Sequence, residues 1–305
     1  MGDILLKILY ILCGLIASAT AILSFKDKKH PARVGTTMFW GFLALILIFG
    51  EYIPANIVGI ILILMSIITA IDKVKAGSIK GKSDEFKQKK SEEIGNFIFI
   101  PALMIAVFAF IIAQFTDLGG LVGVGIGATA ALITGLIMTK AKPIEAIGAG
   151  GRLLQQMGSP CLLPPTLAAL GALFNAAGVG EVIAKGISSV VPMGNIVLGV
   201  IAYVIGMVVF TMIMGNAFAA FAVITAGVGG PFVLSQGGNP GVIAALAMTA
   251  GYCGTLLTPM AANFNIVPAT LLEMKDERKV IKSQVPVALA LMVVHVILML
   301  VLGFK

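Results

Sequence analysis

Over its first 142 residues the chain alternates apolar runs with short charged loops, and after that the regularity is lost. Residues 4–25, 34–50, 53–71, 95–115 and 119–139 read as five membrane helices. About twenty apolar residues, at 1.5 Å of rise each, cover roughly 30 Å of hydrocarbon. The first run contains Lys7, is too long for a signal-peptide core and is followed by charges, so it reads as a retained helix. Beyond residue 142 prolines and glycines multiply. Residues 143–158 keep apolar positions at helical spacing around Glu145 and Arg152, which suits a helix at the membrane interface or one entering obliquely. Ser159-Pro160-Cys161-Leu162-Leu163-Pro164-Pro165 forbids a continuous helix, since each proline removes a donor and crowds the preceding turn. With Gly178 and Gly180 further on, residues 143–192 read as a re-entrant hairpin that begins and ends on one side. Residues 195–226, interrupted at Gly215-Asn216, and 242–272, interrupted around Pro259, read as discontinuous helices joined through Gly-Gly-Pro and Gly-Asn-Pro-Gly turns. Residues 285–304 form the last span.

The pattern predicts an all-α polytopic membrane protein with about eight transmembrane helices plus one re-entrant hairpin. A scaffold region, 1–142, precedes a transport-type region, 143–305. Charge gives the orientation. Lys26, Lys28, Lys29 and Arg33 fill the first loop, seven lysines lie between Lys73 and Lys90, Lys140 and Lys142 mark the fifth loop, and a charged run with four basic residues occupies 273–282, while Glu51 and Asp117 occupy the alternate loops. The positive-inside rule makes the basic face cytoplasmic and puts both termini outside a bacterial inner membrane. A second hairpin at 242–272 would invert the last helix and strand four basic residues outside.

Composition narrows the class further. With 59% hydrophobic and 11% charged residues the chain is no soluble domain. Its net charge of +7 is therefore a matter of topology and of lipid contact, with no nucleic acid implied. Gly119, Gly120, Gly123, Gly125 and Gly127 suit close approach of the fifth helix to a neighbour. Cys13, Cys161 and Cys253 have no paired spacing and read as small buried hydrophobes.

Catalysis has little to draw on. His30 sits in a basic loop and His295 stands alone on the last helix, so a histidine metal site or a Ser–His pair has no partners, and neither an enzyme nor a cofactor is expected. The breaks offer uncharged polar groups instead. In hydrocarbon an unwound segment persists only where protein or a water-filled cavity satisfies its backbone. There, half-helix N-termini attract anions, while freed carbonyls and Asn or Thr oxygens ligate cations. Asn216, Thr258, Asn263, Asn265 and Ser159 are the substrate candidates, and Gly215, Asn216 and Thr255 the cation candidates. Arg152 either counters a carboxylate or snorkels to the interface. With no clear buried acid, a small anion or an amide-bearing acid fits better than a cationic substrate.

Five stretches carry a resemblance: Lys29-His30-Pro31-Ala32-Arg33, Gly35-Thr36-Thr37-Met38-Phe39-Trp40-Gly41, Gly95-Asn96-Phe97-Ile98-Phe99-Ile100-Pro101-Ala102, Gly215-Asn216-Ala217-Phe218-Ala219-Ala220-Phe221, and the run from Gly251 to Asn265. Through them the chain resembles, over essentially its whole length, the bacterial membrane-protein family of domain of unknown function 979. That family looks like one half of an ion-transporter-superfamily permease. The resemblance implies a companion membrane protein supplying the other half-repeat, and, through the neighbourhoods of the family's genes alone, 5-oxoproline as the small carboxylate. The expected activity is secondary transport coupled to Na⁺ or H⁺ at a site near the membrane midplane. A non-transporting assembly or regulatory subunit is the alternative.

Overall fold

The computed structural model describes residues 1–78, 81, 83–189, 192, 194–272, 274–276 and 278–305, without the side chains of 84, 159, 175, 184, 187 and 188. Every regular element among them is helical, and the chain divides into two compact units, Met1–Gly158 and Ser159–Lys305.

The first unit begins with α1 (Gly2–Lys26) and α2 (Arg33–Phe49), which pair where Gly14 lets the Ile48 side chain and the Ala44 carbonyl approach. Lys7 meets Glu51 at 2.6 Å across the same hairpin. An apolar α3 (Ala55–Ala70) follows. The lysine-rich loop is not wholly loop: Ser83 caps α4 (Asp84–Ile94) by accepting the Phe86 N–H at 3.3 Å. A 3₁₀ turn over Gly95–Phe99 then carries the chain into α5 (Ile100–Phe115), so this span starts about ten residues before the apolar run does. In α6 (Gly120–Thr139), Gly123 and Gly127 face α5, where an added Cβ would fall 2.9 Å from the Cα of Ala109 and of Ile105. Residues four apart share a helix face, so these two glycines let the helices pack backbone to backbone. Gly125 makes room for Leu9 of α1.

The last element of this unit, α7 (Pro143–Met157), packs on α1. Gly151 admits Leu23, and buried Gln155 bridges two elements. Its Nε2 donates to Ser24 Oγ at 2.9 Å, and its Oε1 accepts the Gly77 N–H at 2.9 Å. Nearby, Asp27 accepts both the Ser78 N–H and the Ser78 hydroxyl, which hold its carboxyl below the usual range.

Burial pushes the His30 imidazole below its ordinary 6.5, against the opposing pull of Asp27, and its Nδ1 accepts the Ala32 N–H at 3.0 Å. A group that folds neutral contributes stability above its unfolded pKa and loses it as pH falls below. Thermal unfolding temperature is therefore expected to hold between pH 8 and 7 and to drop once pH passes below about 6.5. The Asp27 contribution goes only below about 4, so His30→Gln should flatten the upper part of the profile. An unchanged slope in that variant would assign the acid lability elsewhere.

The second unit opens with α8 (Leu163–Ala176) and α9 (Val179–Ser188). Next come α10 (Ile196–Met214), α11 (Ala217–Ile224), a π-turn over Thr225–Gly229 and the single turn α12 (Gly230–Phe232). Residues 195–226 do not run as one interrupted span. Gly199 packs on the Phe232 carbonyl, the Tyr203 hydroxyl bonds Thr225 Oγ1 at 2.7 Å, and Gly206 meets Ile224. As numbers rise along α10 they fall along its partner, so the chain reverses at Gly215-Asn216. Two helices each long enough to cross a bilayer, Ile196–Met214 and Ala217–Gln236, stand where one broken helix was expected. The reversal is possible because Gly215 takes φ +65°, a conformation glycine adopts without strain.

The chain then enters α13 (Pro240–Leu256), capped by Asn239, whose Oδ1 accepts the N–H groups of Gly241 and Val242. Gly254 sits against the Val208 carbonyl, and Thr258, just beyond α13, bonds the Met212 carbonyl, so numbers rise together and α13 runs parallel to α10. A short α14 (Ala262–Leu271) follows the break after α13. The final helix, α15 (Lys279–Leu302), returns antiparallel to α13, with Ala288 packed near Cys253 and Gly303 accepting the Asn239 N–H at 2.7 Å. His295 has both ring nitrogens occupied, by the Leu291 carbonyl at 2.7 Å and Thr249 Oγ1 at 2.9 Å. Among the described residues six helices are long and apolar enough to cross a membrane, and α2, α3 and α13 are shorter apolar helices.

Candidate functional site

The site grows from one end of the second unit, where α10 and α13 both stop. Gly215 closes α10 with its N–H on the Thr211 carbonyl at 2.7 Å, and its Cα lies so near the break that an added Cβ would be 2.5 Å from the Met260 carbonyl oxygen. Thr258 ties the two ends together. Its hydroxyl donates to the Met212 carbonyl at 2.9 Å and accepts the Met260 N–H at 3.2 Å.

Asn265, 0% exposed, crosses the break from α14. Its Nδ2 donates to the carbonyls of Thr255 and Thr258, each at 2.7 Å. Those are carbonyls that the end of α13 would leave without helical partners, so the unwound segment is satisfied from inside the protein, as hydrocarbon demands. The two bonds consume both protons of the amide, and Asn265 Oδ1 is buried with no hydrogen-bond partner among the described residues. Thr211 Oγ1, also at 0% exposure, is in the same position on α10 beside Gly251 and Gly254.

Two helix N-termini meet this end, and they differ. At α11, Asn216 Oδ1 accepts the N–H groups of Phe218 at 2.9 Å and Ala219 at 3.4 Å, which is an N-cap. At α14 the cap position is Ala261, whose methyl accepts nothing. The first N–H groups of α14 therefore carry the positive helix end without a side-chain acceptor. Alongside, the rings of Phe218, Tyr252 and Phe264 form an edge-to-face chain with centroids 6.3 Å apart at each step. Phe218 and Phe264 are exposed.

Of the residues singled out by sequence, the fold brings Gly215, Asn216, Thr255, Thr258 and Asn265 to this end. Asn216 spends its oxygen on the cap and keeps its Nδ2 donor, which favours an anion over a cation. Thr255 is committed at both oxygens, its hydroxyl donating to the Tyr252 carbonyl at 2.7 Å and its own carbonyl held by Asn265. Asn263 is exposed on α14. The side chain of Ser159 lies outside the described residues. Arg152 belongs to the first unit, where it bonds Gln156 at 3.4 Å. Sequence reasoning passed over Thr211, Met260 and the aromatic trio. No local pattern marked them: Thr211 is set apart only by its packing on Gly251 and Gly254, and Met260 by its approach to Gly215.

These features define a multi-pass helical membrane protein with a satisfied helix break at one end of a compact unit. The chain belongs to the family described as Protein of unknown function (DUF979), which it matches over residues 7–304. No curated protein and no solved structure matches it.

Proposed function

We propose that this chain is one subunit of a secondary transporter for a small carboxylate, with its site at the α13–α14 break. The observation that carries the reading is the chemistry of that break. An uncapped helix N-terminus and the Nδ2 of Asn216 offer donors to a carboxylate, and aromatic rings flank them. Discontinuous helices of this kind serve transporters by presenting opposite dipole ends to substrate and coupling ion. A lactam acid such as 5-oxoproline has matching groups: a carboxylate for the donors and a flat ring for the aromatic wall. The family resemblance adds the ion-transporter-like half and the companion membrane protein that completes it.

For topology, we infer ten crossings instead of eight plus a hairpin. To the six long helices and three shorter apolar ones the reading adds α8 and α9 as one broken crossing. Leu167 lies at the Gly215 end, Phe174 packs on Phe210 at 6.1 Å, and Gly180 meets Val223. The chain then enters α10 at the opposite end. Ten crossings keep both termini outside and the basic loops in the cytoplasm. They also move the break from the midplane to the cytoplasmic end of α10, about 28 Å from that helix's start by its nineteen residues.

The test is uptake of labelled 5-oxoproline by proteoliposomes holding the chain with its companion, with Na⁺ and pH gradients imposed separately. Gradient-driven accumulation is expected, with Asn265→Ala and Asn216→Ala each losing more than about tenfold, a factor worth about 1.4 kcal/mol. Companion-only transport of equal rate would replace this reading with that of an assembly subunit.

A further inference from the structure

Asn265 presents a choice that its own hydrogen bonds resolve. An amide side chain can usually be turned end for end, but here two carbonyl oxygens stand 2.7 Å from one terminal atom, and only an NH₂ group tolerates that. The oxygen is therefore fixed as Oδ1, at 0% exposure, without a donor among the described residues. A buried acceptor left alone is destabilising, so the position favours anything that brings positive charge or a proton donor. It repels a carboxylate.

The surroundings narrow the ligand. α10 and α13 run parallel and end together, so two negative helix ends converge here, Gly215 lying against Met260 and Gly254 against Thr211. A second unpaired oxygen, Thr211 Oγ1, belongs to the same packing. No acid side chain occurs in α10, α13 or α14, so a divalent ion finds no neutralising charge, whereas a monovalent ion is served by neutral oxygens and helix ends.

We propose that Asn265 Oδ1 ligates a monovalent cation, Na⁺, at the end of α13. This deepens the transport reading by naming its coupling ion, but the ion is held whether or not a carboxylate is moved. Ion binding would also explain why this amide is rigidly oriented: Nδ2 holds the broken backbone and Oδ1 holds the ion, so occupancy stiffens the break that shapes the carboxylate end.

The experiment is hydrogen exchange on the full chain, purified in detergent, in NaCl, KCl and choline chloride at equal ionic strength. Na⁺ is expected to slow exchange several-fold in peptides spanning residues 254–266, and to raise the unfolding temperature saturably, with K⁺ weaker and choline inert. Asn265→Ala should lose the Na⁺ dependence. Should that variant not fold, the wild-type exchange pattern decides by itself. Identical exchange in all three salts would overturn the site and leave water as the partner of Oδ1, as would Na⁺ protection confined to other segments. Na⁺ protection without carboxylate uptake would uphold this inference and sink the transport reading. Uptake driven by protons alone, with no Na⁺ effect on exchange, would do the reverse.

Discussion

Gly215→Ala is expected to cost more than about 4 kcal/mol and to remove uptake altogether, the range in which a single substitution points to one structural cause. Two effects add. The backbone sits at φ +65°, where an L side chain costs about 1–2 kcal/mol. The new methyl would also stand 2.5 Å from the Met260 carbonyl oxygen and 2.8 Å from Leu167 Cδ1. A leucine tip can turn away, but the Met260 carbonyl belongs to a break pinned by Thr258 and Asn265. Gly178→Ala is the matched control. Its φ is +69°, with nothing within 4 Å of the added carbon, so it should show the backbone cost alone. Unfolding temperatures of the two variants in detergent separate the effects. Equal losses would mean that the contact at Met260 yields, and that the break is not the rigid element the site requires.

Much of the helical pattern was legible because each span is a local property of twenty residues. The runs at 4–25 and 119–139 correspond to Gly2–Lys26 and Gly120–Thr139 within a residue or two. The last helix starts earlier than its apolar run, at Lys279, because Pro286 is absorbed inside it. What sequence could not distinguish was the meaning of Gly215-Asn216. A glycine followed by an Asn cap is the same local signal whether a helix is kinked in mid-span or reversed at its end. The difference lies in long-range fit, with Gly199 matched to Phe232 and Gly206 to Ile224. The site divides in the same way. Thr258 and Asn265 stood out as polar residues in an apolar break, but the roles of their atoms depend on which carbonyls α13 leaves free. Thr211 looked like any helical threonine, since its isolation is created by two glycines on another helix.

The path of α8 and α9 gives the other large outcome, an all-or-none one. With Cys13, Cys161 and Cys253 replaced by serine or alanine, Ser189→Cys is expected to react from outside with a membrane-impermeant maleimide in intact cells, whereas Lys275→Cys should react only after permeabilisation. Both positions are exposed, and Ser189 sits just beyond α9 with its hydroxyl on the Gly186 carbonyl, so neither is shielded by packing. A re-entrant hairpin would return Ser189 to the cytoplasmic side, and labelling would then wait for permeabilisation at both sites. Outside labelling at Ser189 fixes the direction of α10 as inward. Its far end, with Gly215 and the Asn265 site, then faces the cytoplasm, and access from outside must pass along the full length of the α10–α13 bundle. On the transport reading proposed above, substrate and ion would leave at that end, beside the break that Asn265 holds through the backbone of Thr255 and Thr258.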